Sequence, residues 1–138
     1  GWETHVYFNP VPPAGVTYTY AGVGAVNPLT APDFQVGMGG GPLPYSPAVL
    51  LLTMSTFYLG GPLSIGLGPI TTAPTSFPQT MSPGYAAGND PSKLVALKCS
   101  SNWPWGVPNA FLVAGANAGD CPVPTEDTSW GGVKALYQ

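Results

Sequence analysis

The sequence predicts a mostly β protein, a single β-sandwich-like domain with loops rich in Pro and Gly. The chain has 138 residues, the length of one ordinary domain. Its 19 glycines and 18 prolines break helices and mark turns. Between them lie short segments rich in Val, Tyr, Thr, Phe and Leu, which is the composition of strands. Many short strands joined by such turns are typical of a β-sandwich.

Five segments are predicted as strands from their β-prone residues. The second of them has the strongest signal, because every one of its residues favours an extended backbone. Pro and Gly clusters at 66–69 and 82–84 are predicted as turns. The predicted strands, in chain order, are Glu3–Phe8, Val16–Tyr20, Asp33–Val36, Ser92–Cys99 and Asn109–Ala114.

The longest apolar segment, Ala48–Leu59, fits two structures. Ser46 and Pro47 could begin a helix there and Gly60 could end it. The segment has no polar face at helical spacing, however, so we predict a buried strand or a pair of strands. Further along, Thr71–Thr80 is rich in Thr and Pro and is predicted as an extended exposed loop, with O-glycosylation as the alternative.

The scarcity of charge excludes several classes of partner. Charged residues make up 7% of the chain, against about 25% in a typical domain. There is no Arg, and the only lysines are Lys93, Lys98 and Lys134. Nucleic acid is excluded, because its backbone is bound through several Lys or Arg contacts. No apolar run reaches the roughly 20 residues of a transmembrane helix, so no membrane span is predicted.

The two cysteines, Cys99 and Cys121, predict one disulfide and an oxidising compartment. Two buried free thiols are the alternative. The chain opens with Gly1 and not Met, which fits removal of a leader peptide. We therefore expect a secreted protein at the extracellular surface.

The residue types of common active sites are scarce, and we predict that the protein is not an enzyme and has no cofactor. The single histidine, His5, lies in the first predicted strand, and no G-x-S-x-G motif occurs. A small hydrolase is the remaining enzymatic alternative. Three acids, Asp120, Glu126 and Asp127, are predicted to lie in a solvated loop, with a calcium site as the alternative.

Aromatic residues are the candidates for contacts with other molecules. Trp103 and Trp105 flank Pro104 inside the predicted disulfide loop. The two rings could stack on sugars, fill a groove on a neighbouring subunit, or close the core of their own domain.

Residues 1–13 are predicted to form an N-terminal strand and a stiff Pro-rich linker, ahead of a β domain at 14–138. This arrangement suits an arm that adds a strand to the sheet of the next subunit. Its removal would then leave a folded monomer that cannot polymerise. An arm that packs on its own sheet is the alternative. The assembly residues predicted in the arm are Trp2, Val6, Tyr7 and Phe8.

Two parts of the chain resemble exported bacterial proteins of unknown function. Ser129–Tyr137 resembles a W-G-x-[VI]-K-x-[LM]-[YF] ending, here with the form W-G-x-V-K-x-L-Y. Gly41–Gly68 is similar to small β-sandwich modules of such proteins. The resemblance implies export and a β fold, and it carries over no catalytic residues.

The function predicted from the sequence is that of a structural subunit in an extracellular filament or surface layer, with copies of itself as partners. Low charge favours this hypothesis, because charge protects free monomers from association. The alternative function is that of a secreted carbohydrate-binding module, with glycans as ligands of Trp103 and Trp105.

Overall fold

The structure, a computed structural model, describes residues 1–43, 49–77, 81–88, 90–97 and 101–116. Within those ranges the chain forms strands and no helix, which confirms the mostly β class. None of the described residues belongs to a helix that could cross a membrane. The strands are β1 (Trp2–Asn9), β2 (Thr17–Tyr20), β3 (Ala25–Val26), β4 (Asp33–Met38), β5 (Leu52–Ser55), β6 (Leu63–Gly68), β7 (Gly84–Ala87), β8 (Asp90–Ala96) and β9 (Phe111–Ala116).

Strand β1 lies at the centre of a seven-stranded antiparallel sheet. The main path of the sheet is β3-β4-β1-β6-β9, and β7 joins β1 to β8. Trp2 and Glu3 pair with β4 on one edge and with β7 on the other. The second half of β1 pairs with β6, from His5 opposite Gly68 to Asn9 opposite Ser64. The segment predicted as an arm is therefore the central strand of the chain's own sheet.

Alternation along β1 separates an apolar face from a polar one. Trp2 and Val6 are buried on one face, where they form the core with Phe34 and Val36 of β4. Phe8 of β1 packs against the same core. Each fully buried apolar side chain of this kind contributes about 1.5–3 kcal/mol relative to an exposed one.

A second sheet of two strands, β2 and β5, packs on this core. Tyr18 and Tyr20 of β2 and Leu52 and Met54 of β5 point toward it. Tyr18 contacts Phe34, with ring centroids 5.0 Å apart. The intervening residues of both strands are exposed, as period-two alternation requires for a sheet with one wet face.

The prediction of a buried strand or a pair of strands over Ala48–Leu59 is confirmed in part within the described residues: a strand forms there and no helix does, but the predicted burial is wrong. Only Leu52–Ser55 is a strand, and it is covered on one face alone. Apolar side chains on both sides of it are in contact with solvent: Leu50 is 67% exposed, Phe57 69% and Leu59 84%.

Three strands were not predicted: β3, which is only two residues long, and β6 and β7, which contain glycine, a residue that indicates turns in isolation. Gly66 and Gly68 lie inside β6, and Gly84 begins β7. A Cβ atom on Gly66 would lie 2.4 Å from the ring of Trp103, and one on Gly84 would lie 2.5 Å from the ring of Phe77. These glycines therefore make room for aromatic rings that lie across the backbone.

The other predicted strands exist with shifted ends. Strands are found where Glu3–Phe8, Val16–Tyr20 and Asp33–Val36 were predicted. The last two predicted strands become Asp90–Ala96 and Phe111–Ala116. The predicted disulfide, the calcium candidates and the tail lie outside the described residues: Cys99, Cys121, Asp120, Glu126, Asp127 and Ser129–Tyr137.

Candidate functional site

The face of the sheet opposite the core carries polar and aromatic side chains. Glu3, His5 and Tyr7 alternate along β1 with the core residues. Asp33 of β4 lies opposite His5, and Gln35 lies opposite Glu3. Antiparallel pairing therefore brings two buried carboxylates onto one face, each beside a polar neighbour on the next strand.

Asp33 is 1% exposed and accepts five hydrogen bonds. The Nδ1 atom of His5 lies 2.6 Å from its Oδ1 atom. The backbone N–H groups of Thr71 and Thr72 donate to its two oxygens, both at 3.0 Å. The hydroxyls of the same two threonines donate to Oδ2 at 2.9 and 2.7 Å. One carboxylate thus ties the segment after β6 to the middle of the sheet.

These contacts decide which form of Asp33 is favoured. Burial raises the pKa of Asp33, but the hydrogen bonds from Thr72, His5 and Thr71 outweigh it and hold the pKa below its ordinary value. Burial, together with the nearby negative charge of Asp33, raises the pKa of Tyr7. At neutral pH, Asp33 is therefore an anion and Tyr7 is a neutral phenol.

Glu3 forms a second clasp on the same segment and is 2% exposed. Its oxygens accept hydrogen bonds from the hydroxyl of Thr75, from the backbone N–H of Ser76 at 2.9 Å and from Gln35 at 3.3 Å. The predicted loop at Thr71–Thr80 is thus held, over its described part, by two carboxylates. The hydroxyls of Thr71, Thr72 and Thr75 are used in these bonds.

The His5–Asp33 pair has the form of the orienting pair in a hydrolase. A triad also needs a nucleophile that donates to the other ring nitrogen of the histidine. In the part of the chain that the structure describes, the Thr71 and Thr72 hydroxyls donate to Asp33 instead. The contacts described for this cluster hold chain segments together, and the lack of enzymatic activity stays a prediction.

A row of aromatic rings continues from the clasp along the same face. The ring of His5 lies 4.2 Å from that of Tyr7, and Tyr7 lies 5.9 Å from Trp103. Trp105 meets Trp103 edge-on at 4.5 Å. Trp103 is only 6% exposed, whereas Trp105 is 47% exposed. Of the two tryptophans proposed to stack on sugars, only Trp105 therefore presents a substantial ring surface.

The predicted assembly residues are divided between the two faces. Trp2 and Val6 belong to the core, Phe8 packs on it half-buried, and Tyr7 lies in the aromatic row. The clasp residues Glu3 and Asp33 were not predicted as a site. The sequence did contain a signal for them, because each is an acidic residue inside a predicted strand. An acid that becomes buried in a sheet needs a hydrogen-bond partner.

Comparisons with protein families, with curated proteins and with solved structures found no match to this chain.

Proposed function

We propose that the protein is a secreted structural subunit that assembles with copies of itself by exchange of strand β1. In the proposed fold, the seven-stranded and two-stranded sheets are the two layers of a β-sandwich, held further by a disulfide between Cys99 and Cys121. The observation that carries the proposal is the central place of β1, next to a connection, residues 10–16, in which Pro12 is buried, Val16 is half-buried and the other residues are exposed.

Exchange replaces contacts within one chain by the same contacts between two chains. β1 pairs with β4, β6 and β7, and it contributes Trp2 and Val6 to the core. An exchanged β1 keeps all of these interactions, so exchange costs little beyond the reorganisation of the connection. Val11, in that connection, is 76% exposed and gives up little packing when the connection straightens.

The distribution of charge supports close contact between copies. No Asp, Glu, Lys, Arg or His occurs between Asp33 and Asp90. This tract supplies β5, β6, β7 and most of β4. Copies that meet through this tract bring no like charges together, so charge repulsion does not oppose their contact. For the same reason, a solitary monomer has little charge repulsion to prevent association.

A disulfide between β1 and β6 tests the exchange. Asn9 and Ser64 are paired residues. The Cα atoms of such pairs lie about 4.5–5.5 Å apart, which is within the Cα–Cα range of disulfides. We expect a mixture of Asn9→Cys chains and Ser64→Cys chains, assembled and then oxidised, to give a covalent dimer. Non-reducing electrophoresis measures the dimer, and mass spectrometry identifies the linked peptides.

Each single variant oxidised alone is the matched control, since neither contains both partners of this bond. A mixture that yields no peptide linking residue 9 to residue 64 would show that β1 stays in its own chain. The double variant Asn9→Cys/Ser64→Cys, oxidised in dilute solution, then gives a monomer with an internal bond and locks β1 in place.

The exposed ring of Trp105 favours a second candidate function, the binding of a polysaccharide. A flat aromatic ring on a surface loop can stack on the apolar face of a sugar. We expect Trp105→Ala to lose most of its retention on an insoluble polysaccharide, and Phe57→Ala, which removes another exposed aromatic ring, to keep it. Pull-down assays measure the bound fraction, and equal retention of both variants would exclude Trp105 as the binding residue.

A further inference from the structure

In the part of the chain that the structure describes, the outer edge of β5 is an open strand edge. The backbone N–H of Ala21 donates to the carbonyl of Leu51 at 3.0 Å, so the polar backbone groups of Leu51 face β2. Because these groups alternate along a strand, those of Leu52 and Met54 face the opposite direction. Among the described residues, β5 pairs with β2 only, and nothing hydrogen-bonds to this outer edge.

Exposed apolar side chains lie at both ends of this strand. We define the β5 patch as Val49 and Leu50 before the strand and Phe57 and Leu59 after it, which are between 42% and 84% exposed. Natural proteins commonly protect open edges with charged side chains, Pro or bulges. The tract between Asp33 and Asp90 has no charged residue, so β5 and its patch lack the first of these protections.

We propose that the outer edge of β5 pairs antiparallel with β5 of a second copy of this chain, across a two-fold axis. This inference rests on the self-association proposed above, and it names a contact separate from the exchange of β1. In the register that pairs Leu52 with Met54 of the second copy, the axis passes at Thr53. The same register brings Phe57 of each copy opposite Val49 of the other.

A second copy fits this edge better than another partner for two reasons. The patch has one apolar group at each end of the strand, and antiparallel pairing about a two-fold axis places the end of one strand against the beginning of the other. The surface also has no charge with which to recognise a charged partner, and the copy brings an equally neutral surface. Pairing turns a two-stranded sheet, which is marginal by itself, into a four-stranded one.

The two contacts together explain how an open assembly can form. Reciprocal exchange of β1 between two chains is a closed two-fold contact, which ends at a dimer. A second two-fold contact through β5 joins one such dimer to the next. When the two contacts alternate, each added subunit leaves one contact surface free, so the assembly can continue to grow.

Sedimentation velocity of the full chain with β1 locked by the Asn9→Cys/Ser64→Cys disulfide isolates the β5 contact. We expect the locked protein to form a dimer in a concentration-dependent way. Adding Phe57→Lys and Leu59→Lys should raise the dissociation constant by at least about tenfold, because Phe57 lies opposite Val49 of the other copy and its replacement puts an unpaired charge against that apolar side chain. The matched control is Val23→Lys/Val26→Lys in the locked protein, which adds the same charge at residues 81% and 62% exposed.

A locked protein that stays monomeric at every concentration overturns the β5 pairing, and the proposed function survives if the unlocked protein still assembles. Equal weakening by the two Lys pairs also overturns it, since the effect would then follow from net charge alone. A dimer that persists in the Phe57→Lys/Leu59→Lys variant places the contact elsewhere and overturns it as well.

Discussion

Deletion of residues 1–13 should leave a chain that does not fold, and a synthetic peptide of the same residues should restore the fold when it is added in trans. β1 is the central strand, and its removal leaves unpaired edges on β4, β6 and β7. It also removes Trp2 and Val6 from the core. Apolar burial is worth about 1.5–3 kcal/mol per side chain, against a total stability of roughly 5–15 kcal/mol for a domain.

Near-ultraviolet circular dichroism of the truncated chain, titrated with the peptide, measures this rescue. A peptide with Val6→Asp is the control, because it keeps the backbone groups of the strand but puts a charge in the core. Cooperative urea unfolding of the truncated chain without any peptide would contradict the prediction. The sequence alone led to the opposite expectation, a folded monomer without its arm, because it could not show where the arm packs.

Asp33→Asn should lower the free energy of unfolding by about 3 kcal/mol, the scale for breaking a buried charged pair. In the amide, an NH2 group takes the place of one carboxylate oxygen. This group is a hydrogen-bond donor, so it cannot accept the hydrogen bonds that Thr71, Thr72 or His5 donate to that oxygen. Asp90→Asn is the matched control, since it removes the same charge from an exposed residue and should leave the stability close to that of the wild type. Urea denaturation at neutral pH measures both, and equal effects would show that the clasp contributes nothing specific.

The clasp also predicts how stability depends on pH. The folded protein holds the pKa of Asp33 below its ordinary value of 3.8, so the carboxylate contributes stability above that value. This contribution is lost as the pH falls through the lower pKa of the folded state. The difference in unfolding free energy between the wild type and Asp33→Asn should therefore shrink in strongly acidic solution, and a constant difference would argue against an ionised clasp.

Strands were predictable where local composition and tertiary environment agree. Glu3–Phe8 and Val16–Tyr20 consist largely of β-prone residues, and both form strands. Gly66 and Gly84 show the opposite case, because glycine is a turn signal in isolation and a packing device beneath Trp103 and Phe77. Only the position of those rings tells the two roles apart.

The candidate site, too, could be predicted from the sequence only in part. His5 was identifiable from the sequence as the only histidine, but its partner Asp33 is 28 residues away. The threonines that complete the clasp lie a further 38 and 39 residues from Asp33. No local pattern joins these residues, because they meet only when β1 pairs with β4 and the segment after β6 returns across the sheet.

The sequence by itself determined the β class and the scarcity of charge, since both follow from composition and local propensity. The tertiary structure alone decided that β1 is central, that Trp103 is buried while Trp105 is exposed, and that β5, among the residues the structure describes, pairs with β2 only. The physical reason is that strand pairing joins residues far apart in the chain, so burial depends on which strands become neighbours and cannot be read from the order of residues.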